Sequence, residues 1–97
     1  MIKVYISGSI TNNPDYIAQF KNAASVLKDR GYDPINPVEL SHNHDKTWKE
    51  FMKEDIKALL DCDCIYMLPR WENSIGANLE LTIAKALFIR ELEIQGE

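Results

Sequence analysis

The sequence has 97 residues, of which 45% are hydrophobic and 27% are charged, a composition typical of one ordinary globular domain with a modest core. The formal net charge of -4 argues against a protein that tracks a nucleic-acid backbone, because such proteins carry a basic excess. No apolar run approaches the roughly 20 residues of a membrane span, and no signal peptide is recognisable. We therefore expect a single domain over residues 1–97, a cytoplasmic location, and neither a membrane nor a nucleic-acid polymer as partner.

The first third of the chain predicts a strand followed by a helix. Residues 2–7 form a β-branched and aromatic run, closed by Gly8, that is typical of a buried strand. A helical pattern follows, for which we expect Asn13 as the cap and Pro14 in the first position. Gly31 is expected to close this helix.

The middle of the chain predicts an edge segment and a second helix. Residues 32–40 contain two prolines, which exclude a helix and favour an edge strand or a strand end. Thr47 and Glu50 fit a capping box that opens a helix running to about Leu60.

The last third predicts a second central strand at residues 64–69 and a helix capped by Ser74 or Asn73. The end of the chain fits either a continued helix or a short strand around residues 91–94. The two cysteines, Cys62 and Cys64, are expected to be reduced thiols at the start of a strand, with one of them facing inward.

Strand and helix thus alternate three times, which predicts a parallel sheet with right-handed crossovers. The expected fold is α/β: a three-layer, mostly parallel sheet of about four strands with helices on both faces, a minimal flavodoxin- or Rossmann-like arrangement. In such sheets the binding site lies beyond the C-terminal ends of the strands. This rule gathers residues 8–11, 36–37 and 69–76 at one site.

Two carboxylates interrupt the apolar stripes of the last two helices. Asp55 lies four residues after Phe51 and four before Leu59, and Glu80 completes the stripe of the last helix. Burying an unpaired carboxylate is costly, so each acid is either solvated at the edge of its stripe or faces a cavity. Two acids that converge on one pocket are typical of chemistry at a glycosidic carbon. The stripes themselves are predicted to contain Trp48, Phe51, Met52, Ile56, Leu59 and Leu60 in one helix, and Gly76, Leu79, Ile83, Ala84 and Leu87 in the other.

Three other motifs each allow two interpretations. The loop "SGSITNNP" has the composition of an anion-binding strand-to-helix junction, although a plain tight turn explains it equally well. Trp71 follows a strand in the expected site and fits either stacking on a base or a lid or dimer contact. For the histidines of "SHNHD", a solvated loop is favoured over a metal site. We expect no metal and no cofactor.

Three stretches together resemble the nucleoside 2-deoxyribosyltransferase superfamily: "YISGSI", "DIKALLDCD" and "WENSIGANLEL". The sequence is most similar to the small branches, which include deoxynucleoside 5'-monophosphate N-glycosidases and short bacterial and phage members. The resemblance extends from Tyr5 to about Ala84, and the spacing of Ser74, Gly76 and Glu80 is its most specific part.

The resemblance implies a role for each matching residue. Glu80 matches the nucleophile that attacks the anomeric carbon of deoxyribose, Asp55 an acid that contacts the sugar or assists the leaving base, and Tyr5 the hydroxyl that orients the nucleophile. Together with the strand-end positions, the expected substrate-binding residues are Gly8, Ser9, Ile10, Asn36, Arg70, Trp71, Ser74 and Gly76. A homodimer or larger oligomer is also implied.

The chain departs from the monophosphate-specific members after "GSI", where Thr11, Asn12 and Asn13 replace their arginines. Recognition of a 5'-phosphate therefore stays open, and Arg70 is the candidate for the missing charge. The expected function is cleavage or transfer at the N-glycosidic bond of a deoxynucleoside or its 5'-monophosphate, through a covalent glycosyl-enzyme on Glu80. The alternative is a non-catalytic nucleotide-binding protein, a sensor or a sequestering protein, with the same pocket.

Overall fold

A computed structural model describes residues 1–40 and 47–94 of the chain. Within them, four parallel strands form one sheet in the order β2-β1-β3-β4, which confirms the predicted α/β fold. The described elements, in chain order, are β1 (Lys3–Ser7), α1 (Tyr16–Asp29), β2 (Asp33–Ile35), α2 (Trp48–Leu60), β3 (Cys64–Met67), α3 (Ile75–Ala86) and β4 (Arg90–Glu91). Short 3-10 turns occupy Pro37–Glu39 and Trp71–Asn73. None of the described helices is long and apolar enough to cross a membrane.

The sheet is covered on both faces by helices. Alternate residues of a strand point to opposite faces, so Val4 and Ile6 pack with α1 whereas Tyr5 packs with α2 and α3. Cys62 and Cys64 are both buried, in the clusters on opposite faces, so the expectation that only one of them faces inward is corrected. The core therefore consists of two layers, and β1 contributes to both.

Side-chain caps fix where α2 and α3 begin. The hydroxyl of Thr47 accepts a hydrogen bond from the Glu50 N–H at 3.3 Å, which is one of the two hydrogen bonds of the predicted capping box. The Ser74 hydroxyl accepts one from the Ala77 N–H at 3.1 Å, which decides between the two predicted caps of α3. Both caps satisfy donors that the first helical turn leaves without an intrahelical partner.

The predicted cap of α1 is wrong, because α1 begins at Tyr16 rather than after Asn13. The Asn13 side chain accepts from the Asp15 N–H at 3.2 Å and donates to the Ser9 carbonyl at 2.9 Å. It holds the loop after β1 in a turn, since asparagine readily bonds the backbone two residues onward. Gly31 closes α1 as expected, with φ of 88°.

After α3 the chain forms a short strand rather than a continued helix, which decides between the two predicted alternatives. Helix α3 ends at Ala86, and β4 then pairs with β3 in parallel, with Ile65 opposite Glu91. The pairing starts slightly earlier than the predicted residues 91–94.

The predicted stripes of α2 and α3 need correction, because both helices are rotated relative to the sequence pattern. Trp48, expected in the core, is 55% exposed, and the expected stripe residues Leu60 and Leu87 are also exposed. Packing of α2 and α3 against one face of the sheet makes the acids themselves central to the buried lines. These lines contain Met52, Asp55 and Leu59 in α2, and Ala77, Glu80, Leu81 and Ala84 in α3.

Gly8 permits the loop after β1 to lie against the end of β3. A methyl group at this position would lie 2.9 Å from both Cβ and Cδ1 of Leu68. The Leu68 N–H donates to the Ser7 carbonyl at 2.8 Å, so the two chain segments are held together by their backbones. Neither segment has room to move away without loss of this hydrogen bond.

Replacement Gly8→Ala is therefore expected to lower the free energy of unfolding by about 1–3 kcal/mol, the usual cost of overpacking. In a Leu68→Ala background the same replacement is expected to cost less, because the colliding atoms are gone. Urea unfolding of the four proteins of this double-mutant cycle measures the difference. Equal costs in both backgrounds would contradict the steric explanation.

Candidate active site

A pocket of about 990 Å³ lies beyond the C-terminal ends of the parallel strands. The loop after β1, the turn after β2 and the start of α3 form its walls, together with one side of α2. Its lining residues are Tyr5, Ile6, Gly8, Ser9, Ile10, Thr11, Asn12, Tyr16, Phe20, Pro37, Val38, Leu40, Trp48, Phe51, Met52, Asp55, Asn73, Ser74, Ile75, Gly76, Ala77 and Glu80.

Two hydroxyl groups from β1 hold the Glu80 carboxylate. The Tyr5 hydroxyl donates to Oε2 at 2.7 Å, and the Ser7 hydroxyl donates to Oε1 at 2.6 Å. Tyr5 and Ser7 are two residues apart on one strand, so their side chains point to the same face of the sheet. Glu80 is only 5% exposed, and these hydrogen bonds connect α3 to the middle of the sheet.

Burial dominates the electrostatics of Glu80. Desolvation raises the pKa of its carboxyl from 4.5 to about 7, and the charge of Asp55 contributes in the same direction. The hydrogen bonds from Ser7 and Tyr5 act against this rise, because they favour the ionised form. Glu80 is therefore poised between its two protonation states near neutral pH.

Asp55 is the second buried carboxyl group on this pocket, and it is 7% exposed. Burial, followed by the charge of Glu54, raises its pKa from 3.8 to about 7. Burial and the charges of Glu80 and Asp55 also raise the pKa of Tyr5 well above 10.0, so its hydroxyl keeps its proton and remains a donor. The pocket thus contains two acids with raised pKa values and a neutral phenol, a combination that is common at sites of acid–base chemistry.

Eight of the eleven residues predicted for the site line this pocket. They are Tyr5, Gly8, Ser9, Ile10, Asp55, Ser74, Gly76 and Glu80. A methyl group at Gly76 would lie 3.1 Å from the Met52 sulfur, so this glycine allows α3 to approach α2 closely beside the pocket.

The other three predicted residues, Asn36, Arg70 and Trp71, lie outside the lining. The Asn36 side chain is occupied as a cap, accepting from the Val38 N–H at 3.0 Å. Arg70 is exposed, and Trp71 packs against the core cluster on the α2 and α3 face. Among the lining residues that the structure describes, the charged ones are Asp55 and Glu80.

Sequence reasoning missed Ser7 and four aromatic residues of the pocket wall, namely Tyr16, Phe20, Trp48 and Phe51. The signal for Ser7 was its position two residues after Tyr5, which gives both hydroxyls one face of the strand. Trp48 and Phe51 line the pocket, and their spacing of three and four residues relative to each other and to Asp55 puts all three on one side of α2. The sequence pattern predicts Trp48 in the core instead.

No metal-binding cluster of histidine, cysteine, aspartate or glutamate occurs in residues 1–40 and 47–94. The two histidines weighed as metal ligands, His42 and His44, lie outside the described residues.

Comparison with known proteins gives one family match and a shared fold. A sequence-family model with the description "Domain of unknown function (DUF4406)" matches residues 2–91. A solved 2-deoxyribosyltransferase from Bacillus psychrosaccharolyticus superposes with a TM-score of 0.73 at 19% identity, over 92% of this chain and 69% of that chain. One from Leishmania mexicana superposes with a TM-score of 0.72 at 24% identity, over 95% and 63% of the respective chains. No curated protein matches the sequence. The fold is thus shared with 2-deoxyribosyltransferases.

The raised pKa values predict how stability depends on pH. Glu80 and Asp55 bind protons more tightly in the folded chain than in the unfolded chain, so their stabilising contribution is complete below pH 3.8 to 4.5. It is lost as the pH rises through about 7. For Glu80 alone this loss is expected to reach about 3 kcal/mol of unfolding free energy.

The variant Glu80→Gln isolates this contribution, because the amide keeps the size of the side chain but does not titrate. The difference in unfolding free energy between this variant and the wild type is expected to change by about 3 kcal/mol in favour of the variant as the pH rises from about 4 to about 8. Urea unfolding at a series of pH values measures the difference, and Glu93→Gln, at an exposed position, is the matched control. If the difference in unfolding free energy between Glu80→Gln and the wild type did not change with pH, the raised pKa of Glu80 would be refuted.

Proposed function

We propose that this chain, which belongs to the DUF4406 family, cleaves or transfers at the N-glycosidic bond of a deoxynucleoside or deoxynucleoside 5'-monophosphate. The observation that carries the proposal is the buried Glu80 carboxylate, held by two hydroxyls on a pocket that Asp55 also lines. The solved proteins that share the fold are described as 2-deoxyribosyltransferases, and this supports the choice of substrate class.

In the first step, a carboxylate oxygen of Glu80 attacks C1' of the deoxyribose. The bond from C1' to the base nitrogen breaks, its electron pair stays with the base, and the Asp55 carboxyl supplies the proton that the departing base takes up. The negative charge of Glu80 stabilises the oxocarbenium-like transition state and ends in a covalent glycosyl ester.

In the second step, water or a second base attacks C1' of the ester, and the bond to the Glu80 oxygen breaks. Asp55, now ionised, takes the proton from the incoming water or base and is ready for the next cycle. Water gives hydrolysis and a base gives transfer, and both use the same two carboxyl groups.

The pocket walls suit a nucleoside. Trp48 and Phe51 offer aromatic faces on which a base can stack, while Ser9 and Ser74 offer hydroxyls to the sugar.

Trp48 is 55% exposed and Ile75 is 79% exposed, which supports the proposal that copies of the chain associate near the pocket. A monomer in light scattering at micromolar concentration would exclude this association.

Replacement of the nucleophile is the direct test of the reaction. Glu80→Gln is expected to lower base release from a panel of deoxynucleosides and their 5'-monophosphates by about 10³-fold or more, since the amide cannot form the ester. Binding is expected to stay similar, because the size of the side chain is retained. Free base, measured by chromatography, and affinity, measured by calorimetry, give the two readouts, with Glu93→Gln as control.

Unchanged base release by Glu80→Gln would overturn the covalent mechanism. A wild type that binds these nucleotides but releases no base from any of them would favour the non-catalytic alternative.

Activity is also expected to depend on pH in a bell shape with its maximum near neutrality. The reaction needs Glu80 ionised and Asp55 protonated, and the two groups titrate as a coupled pair with pKa values of about 7. Asp55→Asn is expected to lower kcat/KM by about 10²- to 10⁴-fold, the usual worth of a general acid.

The same variant is expected to lose the alkaline limb, which reports the ionisation of Asp55, and to keep an acid limb, which reports the protonation of Glu80 while Asp55 is neutral. Rates of base release between about pH 5 and pH 9 test this. An alkaline limb that persists in Asp55→Asn would assign the acid to another group.

A further inference from the structure

Ser7 contacts the proposed nucleophile without lining the pocket. It is the last residue of β1 and is 1% exposed, and its hydroxyl lies 2.6 Å from Oε1 of Glu80. The lining includes Tyr5 and Glu80 but not Ser7. Both donors are buried, but Ser7 holds Glu80 from outside the pocket lining, whereas Tyr5 belongs to that lining.

We propose that Ser7 is a positioning residue that anchors Oε1 of Glu80 in the interior and so presents the carboxylate to the pocket in a single orientation. The role assigned to Ser7 in turnover rests on the proposed function, whereas the anchoring of the carboxylate does not.

The geometry explains why a second donor is needed. The terminal torsion of a glutamate side chain is broad, so a carboxylate with one hydrogen bond can turn about that bond. Donors on both oxygens, from Tyr5 and Ser7, fix the plane of the group. A misplaced reacting group slows an enzyme even when the substrate still binds.

The backbone makes Ser7 a rigid anchor. Ser7 pairs with Met67 in the parallel ladder between β1 and β3, and its carbonyl accepts from the Leu68 N–H at 2.8 Å. The hydroxyl is thus attached to a backbone that the ladder between β1 and β3 holds in place.

The anchor also favours the ionised form of Glu80. Burial and the charge of Asp55 oppose ionisation, and the hydrogen bonds from Ser7 and Tyr5 counter both effects. Loss of the Ser7 donor should therefore raise the pKa of Glu80, a change that simple loss of packing would not produce.

The test compares Ser7→Ala, which removes the donor, with Ser7→Thr, which keeps it. Cys64→Ala is the matched control, because it also removes one buried heavy atom but lies in the cluster on the other face of the sheet. Carbon-13 NMR of labelled glutamate side chains gives the pKa of Glu80, assigned by the loss of its signal in Glu80→Gln. Ser7→Ala is expected to raise this pKa by about 1, whereas Ser7→Thr and Cys64→Ala leave it near the wild-type value.

Base release provides the second readout. Ser7→Ala is expected to lower kcat by about 10- to 100-fold with little change in KM, since Ser7 does not line the pocket. Ser7→Thr, which keeps the hydroxyl, is expected to retain most of the wild-type kcat.

The two proposals fail in different ways. If the Glu80 pKa in Ser7→Ala equals that of the wild type, the anchoring role is overturned, whatever the turnover. If the pKa rises in Ser7→Ala but the wild type releases no base, the anchor stands and the proposed reaction fails. An increase of equal size in Cys64→Ala would reduce Ser7 to a packing residue and would also overturn the anchor.

Discussion

The Glu80 carboxylate is buried between α3 and the sheet, and the packing around it satisfies both of its oxygens. A charge that is 5% exposed costs free energy unless donors replace the water that it loses. Tyr5 and Ser7 supply one donor for each oxygen, and both come from β1, one of the two inner strands of the sheet. These hydrogen bonds hold α3 against β1 and keep the carboxylate at the pocket. Stability and the proposed chemistry therefore depend on the same three side chains.

The strand order explains how two acids come to share that pocket. Since β1 lies between β2 and β3, the crossovers that contain α2 and α3 both lie on one face of the sheet. Asp55 and Glu80, one from each helix, thus line the same space beyond the strand ends. Burial raises both pKa values, and the charge of Glu54 adds to the rise for Asp55 and that of Asp55 to the rise for Glu80, so the site retains acids whose ionised forms destabilise the fold. Such a conflict with stability is common where function constrains a sequence.

Local features of the chain were largely predictable, because each has a short-range cause. The caps at Thr47 and at Ser74 or Asn73 follow from side chains that bond the first turn of a helix, and Gly31 follows from its left-handed conformation. The failure of Asn13 to cap α1 was not predictable, since its side chain had several backbone partners within reach. The hydrophobic pattern also does not predict how α2 is rotated about its axis. Trp48 has the spacing of a core residue, but the packing of α2 leaves it at the pocket.

Residue patterns alone predict the alternation of strands and helices, the parallel sheet and the two acids that break the apolar stripes, because periodicity and the cost of buried charge act locally. Which groups meet depends on how the helices pack across the sheet. Ser7 reaches Glu80 across a separation of 73 residues, and Arg70 and Trp71 lie outside the pocket lining despite their place in the loop after β3. The physical reason is that a hydrogen bond of 2.6 Å depends on how helices lie across the sheet, and no short stretch of sequence encodes that packing.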